Sequence, residues 1–341
     1  MHGDWRGRRR VGIGIVYLIC LKIRPSNKVL AASGFASAAL AAVCILASIG
    51  SNNWLIESLS AWKDRAEVRR VVETRQGIVV SYRDEKLGDM ITGGNVYDGR
   101  ANVDPRLNSN NINRILVLSA LRPKPRRVLV IGLSIGSWLY LITGFAGVEH
   151  IDVVEINPGY LDLMRDYQKQ NAALGDPRVR LHITDGRKFL RGVAPESYDL
   201  VVMNNTLHWR AYSTLLLSKE FLALIRSRMA SGGLLAFNTT GSPDALHTAN
   251  SVFPFAYLYE NFAICSDFDW RQAFDRPASI DAMLGIAPQG AALLTAADRP
   301  LATQFLSTSY TAILADIAAK TGRPLEVITD RNLITEYRYG R

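Results

Sequence analysis

Arg127-Val-Leu-Val-Ile-Gly-Leu-Ser-Ile-Gly-Ser-Trp138 is an apolar strand running into a glycine turn. A helix-like segment follows, then Ile151-Asp-Val-Val-Glu-Ile-Asn157, a second apolar strand ending in a carboxylate. Strand, turn, helix and strand in this order open the nucleotide-binding half of a doubly wound α/β sheet. Gly132 and Gly136 let the backbone turn sharply and approach a ligand. Glu155 comes 19 residues after Gly136, where a carboxylate can accept both hydroxyls of a ribose. Together the turn and the acidic strand end point to a nucleoside-type ligand.

The alternation continues beyond this core. Strands are expected at Val128–Ile131, Ile151–Glu155, Val179–Ile183, Tyr198–Met203 and Gly233–Asn238. Helices are expected between them, notably at Pro158–Leu174 and Ser218–Met229. Ala256–Tyr259 and Phe262–Ser266, split by Glu260-Asn261, read as a closing antiparallel pair. Such alternation implies a mostly parallel sheet covered on both faces.

Upstream, Arg69-Arg-Val-Val-Glu-Thr and Gly77-Ile-Val-Val-Ser-Tyr read as strands, with turns at Gly93-Gly-Asn and Asp98-Gly. Asn113 to Leu121 is an expected helix, stopped before Pro123 and Pro125. Four regions follow: an anchor and connector (1–63), a small β unit plus helix (64–122), a Rossmann-like domain (123–267) and a mainly helical extension (268–341).

The net charge of +9 is not spread along the 341 residues. Residues 1–28 hold seven basic side chains against Asp4 alone, so most of the excess lies there. It flanks Val29 to Gly50, a 22-residue run without charge and long enough to span a bilayer as a helix. Val11 to Leu21 is a shorter apolar run. One span would place the large domain outside the cytoplasm; two spans forming a hairpin would return it. The hairpin, in an inner or plasma membrane with the soluble part in the cytoplasm, is the expectation, because an adenosyl cofactor is made and held there. No basic stripe interleaved with aromatics is present, which argues against a nucleic-acid partner. Five His and three Cys show no metal-ligand spacing, so no metal is expected.

Residues 70–267 resemble the spermidine synthase-like (polyamine aminopropyltransferase) family. The resemblance rests on Tyr97-Asp98-Gly99, the glycine turn, Val154-Glu155-Ile156-Asn157, Asp176-Pro177-Arg178-Val179, Asp185-Gly186 and Tyr198-Asp199-Leu200, in that order. Gly94-Asn-Val-Tyr-Asp-Gly-Arg-Ala-Asn-Val-Asp104 resembles a membrane-anchored branch of that family. The resemblance implies a Rossmann-like S-adenosylmethionine-dependent transferase fold with a mostly parallel seven-stranded sheet. It implies a small-molecule donor, decarboxylated S-adenosylmethionine or S-adenosylmethionine, and an amine acceptor such as a polyamine. It leaves a homodimer open. It places the ribose hydroxyls on Glu155, the adenine amino group at Asp185 beside Gly186, and Gly132 and Gly136 under the nucleoside, with Ser134 between them a further candidate for cofactor binding. An ordinary turn is the plainer reading of Asp185-Gly186.

The departures fall on the amine side. Where the family has a proton-accepting aspartate after the fourth strand, this chain has Asn204, and a carboxamide is no base near neutral pH. A second acidic position is Leu207, and the family's amine-side residues fall near Asn102, Ile112 and Asn113. The glycine turn lacks the family's acidic residue and carries Ser134. His208, between Leu207 and Trp209-Arg210, is a candidate base. Asp98 and Asp104 are the candidate carboxylates for an amine, with Asp244 a further one. Two other readings compete. Gly132-Leu-Ser-Ile-Gly136 also matches a hydrolase nucleophile elbow with Ser134 as nucleophile. The lost base also fits a catalytically silent module that binds an adenosyl ligand or polyamine.

Overall fold

In the computed structural model the described residues are 67–204, 213–273, 277–307 and 319–332, with Ala39, Ala42 and Val43. The chain divides into two units, Met1–Leu59 and Ser60–Arg341. Apart from those three residues the expected membrane segment lies outside the described residues. Among the described residues no helix is long and apolar enough to cross a membrane.

The second unit holds two sheets. The small one is antiparallel, in the order β1 (Val68–Thr74), β2 (Gly77–Tyr82), β3 (Met90–Gly93), β4 (Val96–Arg100). Helix α1 (Asn113–Leu121) then leads to β5 (Arg127–Ile131), α2 (Ser137–Thr143) and β6 (His150–Glu155). Next come α3 (Gly159–Met164), α4 (Gln168–Leu174), β7 (Val179–Ile183), α5 (Gly186–Arg191) and β8 (Tyr198–Met203). After α6 (Lys219–Arg226), β9 (Met229–Asn238) and α7 (Pro243–Asn250), β10 (Phe255–Tyr259) and β11 (Phe262–Ser266) close the sheet. Helices α8 (Pro277–Leu284) and α9 (Arg299–Ser307) follow and pack on α1.

The large sheet has the order β10-β11-β9-β8-β5-β6-β7. β9, β8, β5, β6 and β7 pair in parallel, and β10 and β11 are the antiparallel end. The expected mostly parallel seven-stranded sheet and the small amino-terminal β unit are therefore present. Central β5 is apolar after Arg127 because both of its faces are covered; Val128, Leu129 and Val130 are at most 1% exposed. Strand order reverses between β5 and β8, and a crevice opens beyond their carboxyl ends, the place where open α/β sheets bind ligands.

Two expected elements differ. The single helix over Pro158–Leu174 is broken into α3 and α4, with Tyr167 extended (φ −121°, ψ 100°). The cause is tertiary: the Tyr167 hydroxyl donates to Asp89, in the loop entering β3 of the small sheet, at 2.9 Å, and Arg69 pairs with the same carboxylate. Asp98-Gly99 is not a turn but part of β4, where the β3–β4 register shifts between Ile91 and Thr92.

Beneath the sheet, buried Asp152 on β6 accepts three hydrogen bonds, from His150, His182 and the Tyr198 hydroxyl at 2.7–2.8 Å. Burial pushes its pKa up, but hydrogen bonds from His182, Tyr198 and His150 outweigh this and hold it below the usual carboxylate range. A folded-state pKa below that of the unfolded chain stabilises fully above about pH 4, and the gain is lost as pH falls through the folded value. Asp152→Asn should therefore cost roughly 1–3 kcal/mol at neutral pH. In urea titrations the deficit should shrink below about pH 4.

Candidate active site

The crevice is built from backbone outward. Gly132 ends β5 with φ +85°, and the Asn204 N–H donates to the Ile131 carbonyl at 2.8 Å, so β5 and β8 stay joined past their strands. A Cβ at Gly132 would sit 2.6 Å from the Asn204 carbonyl oxygen. Gly136, at φ +77°, starts α2, and a Cβ there would collide with the Met164 side chain. Both glycines make the sharp turn expected of them, and in the direction of a Cβ each meets protein, because β8 and α3 pack against the turn.

Glu155 does reach the turn. Its Oε2 accepts the Leu133 N–H and its Oε1 the Asn157 N–H, each at 2.7 Å, and the residue is only 5% exposed. The carboxylate thus lies between the bend after β5 and the end of its own strand. Beside it Ile156 is 54% exposed and Ile183, at the end of neighbouring β7, 45% exposed. Asp185 is exposed and caps α5 by accepting the Lys188 N–H at 2.8 Å. Gly186 is buried, with Ile131 3.0 Å from the position of a Cβ.

On the other side of the turn a cavity of about 380 Å³ separates the small sheet from the large one. Asp98, Ser134 and Asn204 line it, with Asn110, Arg114 and Trp138. Ser134 (φ +50°) donates its hydroxyl to the Asp98 carbonyl oxygen at 2.8 Å, and Ser137 donates to the Arg100 carbonyl at 3.0 Å. These two bonds clamp β4 over the glycine turn. The Asp98 carboxylate accepts the Tyr160 hydroxyl in a very short contact.

Other predicted residues are placed elsewhere. Asp104 is exposed, accepts the Arg106 N–H in a local turn and does not line the cavity. Asp244 is buried under a two-pronged ion pair from Arg323. Asn102 bonds Ser109, Ile112 is fully buried, and Asn113 donates to Tyr259 and Glu260. His208, with Leu207, Trp209 and Arg210, lies outside the described residues. Ser134, the nucleophile of the hydrolase reading, has no hydrogen bond to a histidine among the described residues. Nor do the described residues contain a group of His, Cys, Asp and Glu that could hold a metal.

Arg114 was missed. It follows Asn113 at the start of an apolar helix and is 6% exposed, on the cavity wall. Burial pushes its pKa down to about 10, against the opposing pull of Glu260, Tyr97 and Tyr259. The only signal in the sequence was a lone arginine among apolar neighbours, which a solvent-facing side chain produces equally well.

Residues 115–250 match the spermine/spermidine synthase domain. A polyamine aminopropyltransferase of Alkaliphilus oremlandii is 40% identical over 88 residues, 26% of this chain and 31% of that protein. Spermidine synthase 1 of Datura stramonium is 40% identical over 86 residues, 25% of this chain and 28% of that one. A polyamine aminopropyltransferase of Streptococcus pneumoniae is 29% identical over 152 residues, 41% of this chain and 52% of that one. Residues 115–250 are thus similar to the domain of the spermidine synthase-like family. The chain spans about a third of the length of the first two relatives and half of the third. The fold agrees. The spermidine synthase of Thermotoga maritima superposes with a TM-score of 0.53 at 19% identity, over 63% of this chain and 77% of that one. A spermidine synthase solved with the transition-state analogue AdoDATO gives 0.59 at 17% identity, over 75% and 88%.

Within the matched region the turn has no space for a side chain at Gly132. Gly132→Ala combines an unfavourable φ with a clash against backbone and should cost about 1–3 kcal/mol. A thermal melt matching that of the parent chain would show that the turn opens without penalty.

Proposed function

We propose that this chain is an adenosyl-dependent transferase whose donor sits over the carboxyl ends of β5, β6 and β7. The observation that carries the reading is Glu155 bridging the glycine turn and its own strand end. An ionised carboxylate offers about four acceptor sites, so oxygens that take main-chain N–H groups can also take ribose hydroxyls. Ile156 and Ile183 offer an apolar platform for a purine at adjacent strand ends, and Asp185 stands just beyond it. The donor is S-adenosylmethionine or its decarboxylated form, and the group moved is methyl or aminopropyl. In either case a nucleophile displaces a sulfonium from carbon, a reaction in which alignment of the two partners supplies much of the rate.

The acceptor side is the cavity between Asp98 and Asn204. Asn204 removes no proton, so its part is to orient by hydrogen bonding. Among the described lining residues Asp98 is the one carboxylate, and it would accept the proton of an amine. A silent binding module is the second reading, favoured by Asn204 and by the engagement of Asp98 with Tyr160. Turnover with any acceptor would exclude it.

Calorimetric titration of the full chain with S-adenosylmethionine, its decarboxylated form and methylthioadenosine tests the donor site. Loss of one charge-assisted pair of hydrogen bonds in Glu155→Gln should weaken binding by roughly 1.5–3 kcal/mol, about 10- to 150-fold. Equal heats from parent and variant would falsify the placement.

Membrane attachment by residues 1–63, with the large unit in the cytoplasm, is proposed from the uncharged run and its basic flanks. A periplasmic-type phosphatase fused to the carboxyl terminus should be inactive in a bacterial host. Strong activity there would rule out the two-span arrangement.

A further inference from the structure

The cavity beside the glycine turn is poorly suited to a polyamine. Of the described residues lining it, only Asp98 and Arg114 carry charge at neutral pH. Asp98 is engaged by Tyr160. Arg114 forms no ion pair with a carboxylate among the described residues. Its Nε donates to the Asn111 carbonyl at 3.0 Å, and its Nη1 to the Asn261 side-chain oxygen. Nη2 makes no hydrogen bond among the described residues. Its guanidinium carbon lies 4.7 Å from the centre of the Phe262 ring and 5.5 Å from that of Trp138.

A guanidinium buried without a directly bonded carboxylate is costly to keep. Glu260 acts on Arg114 through its charge but makes no ion pair with it, and the pull leaves the cost of burial only partly offset. Apart from Asp98, which the Tyr160 hydroxyl engages, the rest of the wall is carboxamide, hydroxyl, aliphatic and aromatic, and the turn carries Ser134 and no acidic side chain of its own. A planar fork with donors left over matches a carboxylate.

We propose that this cavity takes a carboxylate-bearing ligand group, held by Arg114, rather than the cationic chain of a polyamine. The inference rests on the adenosyl reading of the same crevice. The carboxylate has two sources: an adenosyl ligand that keeps its amino-acid tail, or a separate small acid bound beside the nucleoside.

Titrations of the full-length protein separate these cases. Methylthioadenosine, which has neither carboxylate nor amine, reports the nucleoside site alone. If the tail supplies the carboxylate, S-adenosylmethionine should bind at least about tenfold tighter than its decarboxylated form. Arg114→Gln should erase that ratio and leave methylthioadenosine affinity within about twofold, while Arg114→Lys should keep part of the ratio. If a second molecule supplies it, the two donors should bind alike. Protein saturated with methylthioadenosine should then bind propionate or β-alanine in an Arg114-dependent way. A merely structural arginine would shift all ligands together, and the order of ligands in the parent protein stands even if a variant folds poorly. Tighter binding of the decarboxylated form, with putrescine and neither acid taken by the saturated protein, would overturn the proposal. So would a carboxylate preference that survives in a folded Arg114→Gln. Failure of methylthioadenosine itself to bind removes the adenosyl reading, and this inference with it.

Discussion

The Glu155 carboxylate holds two pieces of backbone that would otherwise drift apart. The bend after β5 presents the Leu133 N–H, and the end of β6 presents the Asn157 N–H; one side chain accepts both. Bent backbone beyond a strand has lost its ladder partners, and a buried N–H left unpaired is expensive. An acid at the end of β6 therefore sets the shape of the turn before any ligand arrives. That turn in turn fixes where β8 can end, since Gly132 lies against the Asn204 carbonyl. The crevice at the strand ends and the cavity wall at Ser134 both adjoin this contact.

The small sheet completes the site from the other side. It is tied down at separate points: Ser134 to Asp98, Ser137 to Arg100, Tyr160 to Asp98, and Tyr167 to Asp89. All are hydrogen bonds from the large domain to the sheet or the loop entering it. Between the clamps stays an unfilled space of about 380 Å³. Its walls come from segments far apart in the chain, which is why no single motif describes it.

The cavity carries little charge of its own. A carboxamide stands at Asn204 and a buried cation at Arg114. A positive group brought to ~4 Å from that guanidinium would be repelled by about 4 kcal/mol at an effective dielectric of ~20. A polyamine would need carboxylates to offset this, and Asp98 is the one such group among the described lining residues.

Period and glycine punctuation were enough to read the parallel sheet and the sharp turn after β5 from the chain, because these are local. A buried parallel strand must be apolar along its length, and the turn after it must bend sharply, so both leave marks in consecutive residues. The parallel strands and the closing pair accordingly fall within a few residues of where their pattern puts them. What the chain could not show was decided by contacts between distant segments. Tyr167 leaves its helix because Asp89, far upstream, takes its hydroxyl. Asp98 lines a cavity while Asp104, six residues on, does not, and only the register of β4 against the turn tells them apart. Arg114 resembles any surface arginine until Trp138 and Phe262 fold over it, since burial belongs to the packed molecule and not to the residue.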